Sequence, residues 1–290
     1  MTILFSVAVH ESSLCVDDLV MNIRHFVPDS HVILHLKYGF KYEIKAGLEN
    51  YVSINPVSLK TGFMDGSLTY VHLSNFLYSK RLGKNFSYFC PFGSNQLFIK
   101  HGFENYIRGA VKSESPDVKL GNFQAELFKI DPFMKKVLKH NHFRKSVPEG
   151  TFYDYNALDE SLNKEVNLDF LNKFEKNYTK KIGCFYRKLS NKINTLLYKL
   201  GFLNLTLKST IKFTYATEEI FFPSLISGDF KTKPRYCYTP WDKPGFLVTV
   251  DCLGKLLSND TCYYSVKRVN RDPEDKVRIY IKEICGNFYK

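Results

Sequence analysis

A chain of 290 residues can bury a sizeable core in one or two domains, and 44% hydrophobic with 24% charged residues excludes a disordered or fibrous protein. The formal net charge of +12 points to an anionic partner: nucleic acid, a phospholipid surface or a phosphorylated substrate. Seven cysteines, odd in number, scattered and without C-x-x-C spacing, argue against a zinc site or a disulfide framework and for reduced thiols.

The opening MTILFSVAVHESS lacks a basic leader segment and turns polar after eight apolar positions, so it reads as a buried strand rather than a signal peptide. Residues 2–9 are a continuous apolar run, the pattern of a strand covered on both faces. Ser12 and Ser13 can cap the helix predicted next, where Val16, Leu19, Val20 and Ile23 share one face before Pro28. Residues 31–36, HVILHL, form a second buried strand. Strand, helix and strand within 36 residues predict a βαβ unit and a parallel sheet. Short strands follow at 51–55 and 86–92, with a helix between them on Tyr70, Leu73, Phe76 and Leu77 that stops near Gly83.

Residues 113–160 look irregular, with Pro116, Pro132 and Pro148 in a mixed polar pattern. Helical spacing returns at Leu189, Ile193, Leu196, Leu197 and Leu200, ending at Gly201. That helix overlaps a run from Lys176 to Lys212 holding nine Lys/Arg and no Asp or Glu. Such a run is either a solvated basic face or a surface that adsorbs to anionic lipid. No 18-residue apolar stretch predicts a membrane span. One α/β domain over 1–290 with a long central insertion is expected.

The common chemical motifs are missing. There is no G-x-x-x-x-G-K-[ST], G-x-G-x-x-G, G-x-S-x-G or H-E-x-x-H, and no two aspartates stand two positions apart. A nucleotide diphosphate would then have to be neutralised by basic side chains. No helix-turn-helix or RNP-like signature supports nucleic-acid binding. One stretch stands out: TYATEEIFFPSLI, 214–226, sets Glu218 and Glu219 at the lip of an apolar run. Two acidic residues there suit a helix N-terminus, where the dipole favours them.

T-E-E-I-F-F-P-S-L resembles the P-D-E-x-x-F/W motif of the core-2/I-branching N-acetylglucosaminyltransferase and peptide-O-xylosyltransferase family. Other stretches follow in that family's order. ILFSVAVHES and VILHLKYGF resemble its opening strands. FSYFCPFGSNQLFIKHGFENYI, 86–107, resembles its S-G-x-D, P-L-K and helix segment. RYCYTPWDKPGFLVTVDCLGKLLSNDTCYYSVKRV, 235–269, resembles its closing R-Y-x-x-W run and final basic pair. The family's His-x-Asp at the second strand is His35-Leu36-Lys37 here, and its S-G-x-D is Gly93-Ser94-Asn95-Gln96.

The resemblance implies a GT-A-like glycosyltransferase fold: a mainly parallel central sheet flanked by helices, with residues 1–110 as the nucleotide-binding half and 111–290 as the insertion plus acceptor and catalytic half. It implies an inverting transfer from a nucleotide-sugar donor, with Glu219 as general base and no divalent metal or other cofactor. Lys267, with Arg268 or Lys243, would neutralise the leaving diphosphate. The end of the first strand, Ala8 and His10, would complete the donor pocket. Ser94, Asn95, Glu149 and Trp241 would meet a glycan or lipid-linked oligosaccharide acceptor. Trp241, the lone tryptophan, suits either a sugar-stacking role or the core. A bacterial enzyme of capsule or O-antigen synthesis is the expected setting, cytoplasmic and peripheral on the inner membrane face. A non-catalytic carbohydrate- or nucleotide-binding relative is the alternative.

Overall fold

The computed structural model describes residues 1–10, 12–59, 61, 67–114, 144–165, 189, 193, 196, 200, 218–226, 228–241, 245 and 247–286. The chain opens with β1 (Ile3–Val9), α1 (Ser13–Phe26), β2 (Ser30–Leu36), β3 (Val52–Ile54), α2 (Ser67–Ser79) and β4 (Tyr88–Gly93). Then come β5 (Gln96–Phe98), α3 (Phe103–Ile107), β6 (Lys112–Glu114), β7 (Tyr153–Asp154) and α4 (Tyr155–Glu165). The last described elements are α5 (Glu218–Leu225), β8 (Thr232–Pro234), β9 (Cys237–Tyr238), α6 (Val250–Ser258), β10 (Ser265–Lys267) and α7 (Lys276–Cys285).

The main sheet has the order β3-β2-β1-β4-β7-β6-β8. β1 is parallel to β2 and β4, β2 to β3, and β6 to β8; only β7 runs against its neighbours. A smaller sheet, β5-β10-β9, packs beside it. This is the expected α/β architecture with a mainly parallel central sheet flanked by helices.

Why β1 is apolar on both faces is visible in its packing. Ile3, Phe5, Val7 and Val9 enter a core shared with α1, α6 and α7, whereas Leu4 and Ala8 enter a second core shared with α2, α4 and α5. Each of these side chains larger than Ala8 contributes ~1.5–3 kcal/mol by leaving water. A one-residue slip would exchange the two sets, so the register is fixed from both sides. The capping expectation is met at Ser12, whose hydroxyl accepts the Cys15 amide at 3.4 Å. Many of the aromatic residues are spent in the first core, where Phe98 stacks on Tyr236 at 5.8 Å and lies edge-on to Phe5 at 5.6 Å.

On the α2 side the sheet carries a polar seam. Ser6 hydrogen-bonds His72 at 2.8 Å and accepts from Asn75 at 2.9 Å, and Asn75 in turn accepts from Asn55 at 2.9 Å. Burial, with His35 and Lys267 nearby, holds the His72 imidazole neutral, with its pKa lowered to about 3.

The expected irregularity of 113–160 is corrected in part. Residues 112–114 pair with β8, 153–154 pair with β4, and an 11-residue helix starts at Tyr155. The expected helix over 189–200 lies largely outside the described residues; Leu189, Leu196 and Leu200 are exposed. Most of the basic run 176–212, and with it the proposed lipid contact, lies outside them too, as does Lys243.

Candidate functional site

β1 is flanked by β2 on one side and β4 on the other, so the order of strands reverses there. In open parallel sheets the crevice at the carboxyl ends of two such strands is the natural ligand site. Ala8 pairs with Gly93 at that end. The Ala8 side chain is buried in the second core, while His10, just beyond, is exposed and lies 3.2 Å from an Arg271 guanidinium nitrogen.

β10 delivers Lys267 to the same end. β5 and β10 are antiparallel with Gln96 opposite Lys267, and Gln96 donates to the Ser265 hydroxyl at 2.9 Å. Gly93, closing β4, leaves room for the lysine: a Cβ there would lie 3.2 Å from Lys267 Cε and 3.3 Å from Nζ. Ser94 is buried in the connecting turn, and the Asn95 carbonyl accepts the Val269 amide at 3.1 Å.

Lys267 Nζ is ion-paired with Glu149, which comes from a loop 118 residues earlier. That loop, 144–152, fits only because Gly150 follows Glu149. Gly150 has φ +81°, and a Cβ on it would stand 2.6 Å from Cys237 Cβ. Burial pushes the Glu149 carboxyl up in pKa, and the Lys267 ammonium more than reverses this, leaving it below the usual range.

The loop also grips the acidic pair. Glu218 and Glu219 open α5, as the dipole argument expects. Pro223 sits inside this helix and has no N–H to offer the Glu219 carbonyl four residues back. Ser146 N–H takes that place, donating to Glu219 O at 2.8 Å. Lys145 Nζ then lies 3.4 Å from a Glu219 carboxylate oxygen. Burial raises the Glu219 pKa, Lys145 opposes this, and Glu149 adds to it. Burial likewise drives Glu218 up to about 8, with Glu219 and Glu149 contributing, against its own backbone N–H and Lys267.

Five groups therefore meet: Lys145, Glu149, Glu218, Glu219 and Lys267. The sequence reading named Glu149, Glu219 and Lys267. It missed Lys145 and the burial of Glu218, and no local pattern marks either. Arg268, next to Lys267, has a left-handed backbone (φ 72°), and its guanidinium lies over the Trp241 ring at 4.5 Å. Trp241 is 47% exposed, which decides against a core role. Among the described residues no group of three His, Cys, Asp or Glu side chains is arranged to hold a metal ion, and no helix is long and apolar enough to cross a membrane.

No family model matches the chain, and no curated protein matches it. Among solved structures it is similar to the galactosyltransferase LgtC in complex with donor and acceptor sugar analogs, at 10% identity and TM-score 0.40, over 99% of this chain and 95% of that one. An active-site mutant of LgtC matches at 10% identity and TM-score 0.39 over the same shares. At that identity and TM-score the likeness fixes neither substrate nor mechanism.

Proposed function

We propose that this chain is a GT-A-type glycosyltransferase, inverting and independent of metal, that moves a sugar from a nucleotide-sugar donor to a glycan or lipid-linked oligosaccharide acceptor. The observation that carries this is the meeting of Glu219, Glu149 and Lys267, drawn from three distant segments, at the carboxyl ends of the strands. These are the positions that the motif resemblance assigns to base, acceptor contact and diphosphate contact.

In this reading the acceptor hydroxyl gives its proton to a Glu219 oxygen as its own oxygen bonds to the anomeric carbon. The bond from that carbon to the donor phosphate breaks, and its electron pair leaves with the diphosphate. Lys267 exchanges Glu149 for that diphosphate and stabilises the charge as it develops. Arg268 on Trp241, with Ser94 and Asn95, borders the pocket. A role in bacterial capsule or O-antigen synthesis at the inner membrane face fits the basic composition.

The alternative, a binding-only relative, is favoured by one feature: Glu219 and Lys267 are both already ion-paired to the 144–152 loop. Assay of a nucleotide-sugar panel separates the two. Glu219→Gln is expected to lower turnover ~10²–10⁴-fold with donor affinity unchanged, and wild-type turnover should persist in excess EDTA. Equal activity of Glu219→Gln removes the base assignment. Loss in EDTA with recovery in manganese removes the metal-free mechanism. Nucleotide binding without turnover establishes the alternative.

A further inference from the structure

Glu218 is the more unusual of the two adjacent carboxyls. It begins α5, is 8% exposed, and its Oε2 has no hydrogen-bond partner among the described residues. The helix N-terminus favours an ionised carboxylate, yet the surroundings oppose it. Glu219 on its own helix and Glu149 on the 144–152 loop are negative neighbours, Lys267 on β10 is a facing cation, and Arg235 between β8 and β9 acts on Glu149. Lys145 is taken up by Glu219. From α2, the neutral His72 lies against Phe222 of the same helix.

Lys145 and Lys267 match Glu219 and Glu149, and Arg235 adds its charge at Glu149. An ionised Glu218 would add a negative charge where a phosphate has to enter. A neutral one presents an O–H donor to that phosphate, and a charge-assisted bond of this kind is short and strong.

We propose that Glu218 is a ligand-binding residue of this site, a neutral carboxylic acid that donates its proton as a hydrogen bond to an anionic diphosphate held by Lys267 and repels that ligand once ionised. This rests on the reading of Lys267 as the diphosphate contact. The high pKa, about 8, agrees with it and sets where the effect appears.

The test is calorimetric titration with UDP, GDP, ADP and CDP between pH 7 and 9, for wild type and Glu218→Gln. One proton held at the site makes wild-type affinity fall about tenfold over that range, mostly above pH 8. Glu218→Gln keeps a neutral donor, so its affinity should match wild type at pH 7, change less than about twofold to pH 9, and exceed wild type there. A parallel fall in both proteins, or a flat wild type, overturns the proposal. Infrared titration of ligand-free wild type supplies a second readout, needing neither variant nor nucleotide. A protonated-carboxyl carbonyl band present at pH 7 and lost near pH 8 supports a neutral Glu218. Its absence overturns the proposal. The band without any nucleotide binding would instead sink the diphosphate reading of Lys267.

Discussion

Lys267 is a cation whose position depends on what its neighbours lack. β4 ends in Gly93, and an alanine methyl there would press on the lysine stem, 3.2 Å from Cε. A charge-assisted bond from such an ammonium to phosphate is worth ~1.5–3 kcal/mol. Lys267→Ala should therefore weaken nucleotide binding and slow turnover together by about one to two orders of magnitude. It should also lower the melting temperature, because Glu149 would be left buried without its counter-ion. Adding Glu149→Gln separates the two effects: the melting temperature should recover while binding stays weak. Unchanged affinity in Lys267→Ala would remove it from the site. The sequence carried Lys267 and Glu149 as separate candidates through motif order, but their pairing spans 118 residues and no spacing rule reaches that far. Glu218 was hidden for another reason: its chemistry comes from burial and from the carboxylate of Glu149, brought close by the fold, which are tertiary properties.

At the scale of elements, legibility follows how many core-facing residues an element owns. β1, α1 and β2 each bury an unbroken stripe, and their periodicity alone places them within a residue or two. α4 fully buries Leu158 and Leu162, with Tyr155 and Ala157 packed at the core's margin, and Asp154 caps it by accepting the Ala157 amide at 2.9 Å, so its polar sequence reads as loop. β6 is three residues long and takes its parallel partner from 232–234. Pro223 is an element-scale device that the sequence showed without its meaning. By withholding an N–H it frees the Glu219 carbonyl for Ser146, and so fastens the loop bearing Lys145 and Glu149 to the helix bearing Glu219. Pro223→Ala restores a competing helical amide. Amide exchange at Ser146 should then quicken and turnover should drop, while the melting temperature holds or rises, since interior proline costs a helix ~3 kcal/mol. Unchanged exchange at Ser146 would mean that the ion pairs alone hold the loop.

Among the described residues helices cover both faces of the main sheet, with ionisable groups trapped inside, and these set how stability responds to pH. Burial lowers His31 and His35 to about 4 and His72 to about 3. Below pH 6.5 the unfolded chain binds protons that these folded imidazoles refuse, so acid weakens the fold until about pH 3 to 4. Glu218 acts in the opposite sense. Its folded pKa of about 8 lies above the ordinary 4.5, so the folded state keeps a proton that the unfolded chain releases. The resulting stability is fully present below pH 4.5 and is lost as pH rises to about 8. Burial also lowers Lys112 to about 8, and it adds stability with rising pH only above that value. Between pH 6.5 and 8 Lys112 is level and the unfolded histidines give up the last of their protons, a rise in stability that wild type and Glu218→Gln share, so Glu218 shows as the difference between them. At about 1.4 kcal/mol per pH unit per proton, wild type should lose about 1.5 kcal/mol across that window relative to Glu218→Gln. For a chain of this size the loss is a fall of several degrees in melting temperature. Glu218→Gln, unable to ionise, should melt at a temperature that rises slightly from pH 6.5 to 8 with the histidines. Calorimetric scans of the two proteins decide it: equal slopes would mean that the proton is not on Glu218.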